Sequence, residues 1–431
     1  MKRRVLVFPA GTEIGLEIFH ALEHCKEVSL FGAGQDISNP ARFVYPAYHI
    51  LPAISEPGWL DALITLCRSL HIDYIFPAYD DVIVALSREA EKLPAKVISS
   101  PSRACEITRS KSETYRALDG IVRVPRLYAS AEEVNSYPVF VKPDRGQGSF
   151  GIARVDDKEA LVAALRAIRD PIVCEFLPGE EYTIDCFSDR EKGVLFAGAR
   201  SRRRTRNGIS VNTLTEALPE ATVMAKLIGR ELGLHGAWFF QLKRAQDGQL
   251  ALLEIAPRIA GAMAAHRVAG INFPLLSIFE AERLPLSVHP LKGVVELDRA
   301  LGNRYRHSIE FATLYIDLDD TLLVNDRINI LAVKLLFQCI NNGKKVVLLT
   351  RHRGDLTRTL AKHRLSGLFD EIIHLDEAEK KSSHIKGDAA IFVDDSFAER
   401  MDVAERCNIP TFDCSMIELL TEQAEFLNGD R

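Results

Sequence analysis

Apolar runs at 4–8, 28–31 and 74–77 read as buried strands. Apolar residues recurring at three- and four-residue steps over 13–23 and 59–70 predict helices between them. This rhythm over residues 1–95 implies a small parallel sheet covered by helices. From 96 to about 305 the pattern changes to strand hairpins mixed with helices, with strands expected at 139–142, 152–155, 172–175, 182–187, 237–244 and 249–255. A fresh strand–helix–strand pattern opens near Phe311, with strands expected at 313–317, 345–350 and 389–394. The polar stretch from Asp298 to Ser308 reads as the joint before it. The expected organisation is three domains, 1–95, 96–305 and 311–431, in a mixed α/β and α+β class. No internal repeat or low-complexity tract interrupts it.

Composition supports that division. The 431 residues correspond to about three domains at roughly 150 residues each, and 47% apolar content is enough for several cores. Lys plus Arg number 54 against 59 Asp plus Glu, a net charge of −5. That balance points to no nucleic acid and no anionic membrane as partner. No apolar run approaches the roughly 18 residues of a spanning helix. The basic start Met1-Lys2-Arg3-Arg4 is followed by an apolar run too short for a secretory segment, so it reads as the first strand. The eight cysteines, at 25, 67, 105, 174, 186, 339, 407 and 414, include no C-x-x-C pair. A reduced, cytoplasmic protein with buried thiols is expected, and no Cys/His spacing fits zinc.

The first candidate chemistry lies at Lys142-Pro143-Asp144-Arg145-Gly146-Gln147-Gly148-Ser149-Phe150-Gly151. Gly146, Gly148 and Gly151, with Ser149 among them, let a backbone turn its N–H groups toward an anion, and Lys142 adds a point charge. A flexible hairpin tip is the competing reading. No helix starts directly after the glycines, so this is neither a P-loop nor a dinucleotide fingerprint. Downstream, Glu175-Phe176-Leu177 and Glu181 belong to an extended linker able to meet a purine edge and ribose hydroxyls. Gln241 and Glu254, on paired strands, could share one face and offer oxygens to Mg2+.

Taken in order, these segments resemble the ATP-grasp superfamily, in the branch of carbamoyl-phosphate synthase and related carboxylate–amine ligases, over about residues 1–300. The resemblance implies a Rossmann-like leading domain before an ATP-grasp fold. It implies that Lys111 and Lys142 hold nucleotide phosphates, that Glu175, Phe176 and Leu177 face adenine, and that Glu181 takes the ribose. Gln241 and Glu254 would bind magnesium, or manganese in its place, and Arg258 would meet the transferred phosphoryl group or the acyl phosphate. The chain departs from the family at Ala256, where an Asn usually completes the metal site. Arg200, Arg202, Arg203, Arg204 and Arg206 crowd a segment expected as a basic loop, read as a solvated turn, an RNA contact or, preferred, a clamp for phosphate or carboxylate. Asp80, after a strand end, is either a polar edge of the substrate pocket or a turn or helix cap. The Gly11-to-Gly15 turn has the wrong spacing for a nicotinamide cofactor.

A second chemistry lies at Asp317-Leu318-Asp319-Asp320-Thr321, where two carboxylates two apart follow an apolar strand. One could attack phosphorus while the other manages the leaving group's proton. Further strands end at Thr350 and at Asp394-Asp395. The set resembles the haloacid-dehalogenase superfamily over roughly 311–431. That implies Asp317 as nucleophile, Asp319 as acid/base, Thr350 holding phosphoryl oxygens, and Asp394 and Asp395 with the two motif aspartates around Mg2+. Lys381 is the preferred neutralising lysine, with Lys380 and Lys386 as rivals. Only a short flap and one helix fit between Thr321 and Lys345, so the expected domain is capless and Rossmannoid.

The combined expectation is a bifunctional enzyme: an ATP-dependent carboxylate–amine ligase fused to a Mg2+-dependent phosphomonoester hydrolase of one pathway. Its partners would be small-molecule carboxylates and amines, a phosphorylated small molecule and a second copy in a homodimer. The alternatives are a kinase/phosphatase pair and an ATP-binding sensor.

Overall fold

The computed structural model describes residues 2–146, 151–302, 305 and 307–421. Gly148 and Ser149 lie outside the described residues. The chain divides into two compact units, through Leu301 and from Gly302 onward.

In the first unit, Arg3–Phe8 (β1), Val28–Gly34 (β2), Tyr48–Ile50 (β3), Tyr74–Pro77 (β4) and Lys96–Val97 (β5) form a parallel sheet ordered β3-β2-β1-β4-β5. The turn after β1 leads into helix α1 (Glu13–Leu22), capped by Thr12, whose hydroxyl accepts from the Gly15 N–H at 3.0 Å. Gly15 is required there because a Cβ would stand 2.3 Å from the Ala10 carbonyl oxygen. The strand period of two sends Val5 and Val7 to one core and Leu6 and Phe8 to another. Helices α2 (Trp59–Ser69), α3 (Asp80–Arg88), α4 (Ser102–Arg109) and α5 (Lys111–Leu118) follow.

Leu127–Tyr128 (β6), Val139–Pro143 (β7), Ala153–Val155 (β8) and Pro171–Glu175 (β9) form a small antiparallel sheet ordered β6-β9-β7-β8. The largest sheet contains Glu181–Asp189 (β10), Gly193–Arg206 (β11), Ile209–Glu216 (β12), Gly236–Arg244 (β13), Leu250–Ala256 (β14) and Glu296–Asp298 (β15), ordered β14-β13-β10-β11-β12-β15. On one face Trp238, Phe240 and Ile184 pack against Ala221, Ala225 and Ile228 of the helix Pro219–Leu232. On the other, Phe239 and Ala256 join Val5, Val7 and Phe19 of the parallel sheet and its helix in one core. Within the first unit, segments 1–95 and 96–301 thus pack around a shared interior.

One local expectation is corrected. The arginine-rich stretch is not a loop: 200–206 is the end of β11, paired with β12. Partnering across the sheet outweighs the polar composition that suggested a turn. The division after Leu301 falls inside the stretch expected as the joint, whose first residue, Asp298, ends β15 against β12.

In the second unit, Thr313–Ile316 (β16), Lys345–Thr350 (β19), Glu371–His374 (β20), Ala390–Val393 (β21) and Thr411–Phe412 (β22) build a parallel sheet ordered β20-β19-β16-β21-β22, and Leu323–Val324 (β17) and Arg327–Ile328 (β18) form a separate antiparallel hairpin. Apolar cores cover both faces. Between Thr321 and Lys345 stand only the small hairpin and the helix Ile330–Asn341. No helix among the described residues is long and apolar enough to cross a membrane.

Candidate active sites

Two adjoining cavities in the first unit, of about 440 and 200 Å3, share Lys111, Gly146, Arg202, Gly208, Gln241 and Glu254 in their walls. Lys111 opens α5. That helix start is anchored to the end of β7, where Ser110 Oγ donates to Asp144 Oδ2 at 2.6 Å and the Ser112 N–H to Oδ1 at 2.7 Å. The Lys111 ammonium reaches the Gly146 carbonyl at 3.3 Å. Burial, with the cations Lys142 and Arg109 nearby, pulls its pKa below the usual lysine range, although Glu254 opposes this. An anionic ligand here would relieve that strain on the charged form. Lys142 is buried and donates to the Tyr115 hydroxyl at 2.8 Å. Tyr115 in turn donates to the Leu253 carbonyl at 2.7 Å, and burial pushes its phenol up to about 12.

The smaller cavity is lined by Phe140, Glu175, Phe176, Leu177 and Glu181. The Glu175 carboxylate is held by Arg123 Nη2 at 3.0 Å and by the Arg126 N–H at 3.3 Å, so the side chain is already committed. Glu181 accepts from Arg202 Nη1 at 2.6 Å. Gln241 and Glu254 stand directly opposite each other on β13 and β14, beside a register shift that follows Gln241. The alternation that buries Phe240 and Leu242 puts Gln241 on the cavity side, and both oxygen-bearing residues line the two cavities. Hard oxygen donors of this kind suit Mg2+. Ala256, farther along β14, offers no ligand atom.

Arg258 does not stand free. It binds Asp80 through Nε, and through Nη2 to Oδ2 at 3.1 Å, while Nη1 donates to the Ile259 carbonyl at 3.1 Å. Burial alone would raise the Asp80 pKa, but Arg258, with Arg109 and Lys111 behind it, holds the carboxyl below its usual range. Asp80 is the first residue of α3 and not its cap: Tyr79 holds the N-cap position and no side chain caps the helix, so Asp80 serves as a polar edge of the larger cavity. Of the five arginines, Arg200 and Arg202 line the larger cavity, whereas Arg203 and Arg204 pair with Glu296 and Asp298 on the exposed side. Arg200 is tied to Asp185 by bonds of 2.8 and 3.2 Å, and His266 meets the same carboxylate at 2.9 Å. Asp185 and His266 carried no sequence motif, and neither did Tyr115.

In the second unit, Asp317, Thr350 and Asp394 stand at strand ends, and Lys381, which opens the short helical turn Lys381–His384, reaches Asp317 and Asp394. Lys381 Nζ lies 2.7 Å from Asp317 Oδ1 and 2.6 Å from Asp394 Oδ2. Lys380 instead pairs with Asp402, outside this cluster. Burial, reinforced by Asp394, raises the Asp317 pKa to about 6 despite Lys381. Burial would lower the Lys381 pKa, but Asp317 and Asp394 raise it. Asp317, Asp394 and Asp395 bring carboxylate oxygens within 4.8 Å of one another, a set suited to a hard cation. The Thr350 hydroxyl is buried without a hydrogen-bond partner, an orphan that a phosphoryl oxygen would satisfy. Asp319, expected beside the same cation, is not part of that group of carboxylates. Its half-exposed carboxylate lies outside the acidic cluster and meets His352 Nδ1 at 3.0 Å through both oxygens. His352 Nε2 in turn meets Thr359 Oγ1 at 2.9 Å. Its place two residues after the strand-end Thr350 was the available signal for His352.

Residues 167–295 match the profile of a family described as ATP-grasp in the biosynthetic pathway with Ter operon. A D-alanine–D-alanine ligase of Fusobacterium nucleatum is 29% identical over 104 residues, which are 24% of this chain and 36% of that enzyme. The match thus spans about a third of that relative. Among solved structures, the biotin carboxylase domain of Hydrogenobacter thermophilus 2-oxoglutarate carboxylase, in complex with MgADP, ADP and bicarbonate, has a TM-score of 0.58 at 18% identity, covering 68% of this chain and 73% of that one. An L-amino acid ligase from Bacillus licheniformis has a TM-score of 0.52 at 22% identity, covering 67% and 75%. Residues 167–295 thus resemble an ATP-grasp family profile, and the unit that contains them shares its fold with these carboxylase and ligase structures.

Proposed function

We propose that the first unit is an ATP-dependent carboxylate–amine ligase. The observation that carries this reading is the placement of Gln241 and Glu254, opposite each other on the wall common to two cavities. The smaller cavity would take the nucleotide, with Lys111 and Lys142 on its phosphates, and the larger would take the acid. A carboxylate oxygen would attack the γ-phosphorus as the bond to the bridging oxygen breaks and ADP leaves. An amine would then attack the acyl phosphate carbon, forming the amide as phosphate departs and the amine loses a proton. Arg258, oriented by Asp80, would face the phosphoryl group. Mg2+, held by Gln241 and Glu254, would neutralise phosphate charge. Positioning and charge neutralisation dominate such transfers. The ligase names among the similar proteins support this chemistry.

We further propose that the second unit is a haloacid-dehalogenase-like phosphomonoester hydrolase. Asp317 would attack phosphorus, the alcohol would leave with a proton from Asp319, and water would cleave the aspartyl phosphate. Lys381 and the Thr350 hydroxyl would hold the negative charge, and a cation between Asp317, Asp394 and Asp395 would add to it. The buried Asp317–Lys381–Asp394 group carries this reading.

The test is incubation with ATP, Mg2+ and a carboxylate/amine library while ADP, free phosphate and product mass are followed. An amide mass formed together with ADP, and lost in Glu254→Gln, is the expected result. A stable phosphorylated product would replace the ligase with a kinase. Nucleotide binding without turnover would favour a sensor, the outcome that Ala256 makes worth recording.

A further inference from the structure

Three buried guanidinium nitrogens in the first unit, Arg200 Nη1, Arg202 Nε and Arg299 Nη1, have no hydrogen-bond partner. All three residues line the larger cavity. Arg200 and Arg202 are 3% and 7% exposed at their side chains, so water does not readily serve them. A buried N–H left unpaired carries the full cost of its desolvation, and on a cation that cost is larger. Guanidinium groups are suited to paired recognition of carboxylate or phosphate oxygens.

The placement separates these donors from the reacting centre. Arg200 and Arg202 sit two apart on β11 and share its cavity-facing side, while Arg299 follows β15 at the end of the sheet. Arg200 and Arg299 line the larger cavity and not the smaller one, so the proposed nucleotide slot does not claim them. Arg258, the cation beside the proposed acyl phosphate, has three of its five N–H donors engaged by Asp80 and Ile259, which fixes it at the reacting end. Gly261 leaves room for the Arg299 head, since a Cβ there would come within 3.1 and 3.2 Å of its two terminal nitrogens.

We propose that the acid bound in the larger cavity carries a second anionic group, a carboxylate or a phosphate remote from the reacting carboxyl, held by Arg200, Arg202 and Arg299. This deepens the ligase reading and rests on it for the identity of the reacting end. The subsite itself stands on the unpaired donors. One carboxyl faces Arg258 and the Gln241–Glu254 pair, and the other anion engages the arginine cluster. A monocarboxylate would leave those N–H groups unanswered.

The test uses the full chain carrying Asp317→Asn, so that a phosphorylated probe is not consumed. Propionate, succinate and 2-phosphoglycolate are titrated calorimetrically, ADP is titrated separately, and ADP release from ATP is followed with each acid. Succinate or 2-phosphoglycolate should bind at least tenfold more tightly than propionate, and the stronger of the two identifies the second group. Arg299→Gln should abolish that preference with the ADP affinity unchanged, and Arg299→Lys should restore part of it. Equal binding of all three probes, or a preference untouched by Arg299→Gln, would overturn the proposal. If ADP fails to bind while the Arg299-dependent preference persists, the ligase reading falls and the anion subsite stands.

Discussion

Asp80 and Arg258 lie 178 positions apart in the chain and share two hydrogen bonds. Such pairs recur wherever charge is buried, and Glu280 shows what they contribute. It sits on the helix Phe273–Ala281 and accepts from Arg190 Nη2 at 3.0 Å, with His235 Nδ1 at 3.5 Å. Burial would raise its pKa, but His235 and Arg190 together bring it down to about 2 from 4.5. The folded-state value is depressed, so the contribution is complete above pH 4.5 and disappears as the pH falls toward 2. At roughly 1.4 kcal/mol per pH unit, it is worth about 3 kcal/mol near neutrality. Urea unfolding from pH 6 to pH 3 should therefore show a shallower acid loss in Glu280→Gln than in the parent. At Asp317 the shift has the opposite sign, because the ionised carboxylate is disfavoured up to about pH 6 in the protein without metal. Asp317→Asn should reduce hydrolysis of an aryl phosphate to background.

Strand β11 shows why an element decides what a run of like residues does. Five arginines occupy the seven positions 200–206. In a loop they would all be solvated, but in a paired strand alternate residues face opposite sides. Irregular pairing between Arg202 and Arg204 then turns the remainder outward. The two faces should respond differently to mutation. Asp185→Ala would leave Arg200 buried without its carboxylate, and a loss of about 3–5 kcal/mol is expected by chemical denaturation. Arg203→Ala removes an exposed pair with Glu296, and the same measurement should change by less than about 1 kcal/mol. The strands bearing Lys142, Gln241, Glu254 and Thr350 were legible from their apolar runs. The partners were less so, because Tyr115, Asp185, His266 and His352 reach their sites from elements with no motif of their own.

At the scale of the whole molecule, the chain contains two units, each with its own set of strand-borne charged groups. If the two proposed activities are independent, Glu254→Gln should lose ADP formation and keep aryl phosphate hydrolysis. Asp317→Asn should do the reverse. Both are measured on the full chain with steady-state assays, and loss of both activities in either variant would contradict separate sites.

Residue order alone determined the strands and helices with a clear apolar period, that Gln241 and Glu254 could share a face, and that Asp317 and Asp319 follow a buried strand. These follow from local periodicity, which needs no distant partner. Tertiary structure decided that the arginine stretch is a strand, that Arg258 is held by Asp80, that Asp319 is engaged by His352, and that Arg200, Arg202 and Arg299 line one cavity. Each of these depends on which residues meet across long sequence separations. Sheet pairing and the matching of buried charges settle that choice, and periodicity carries no information about either.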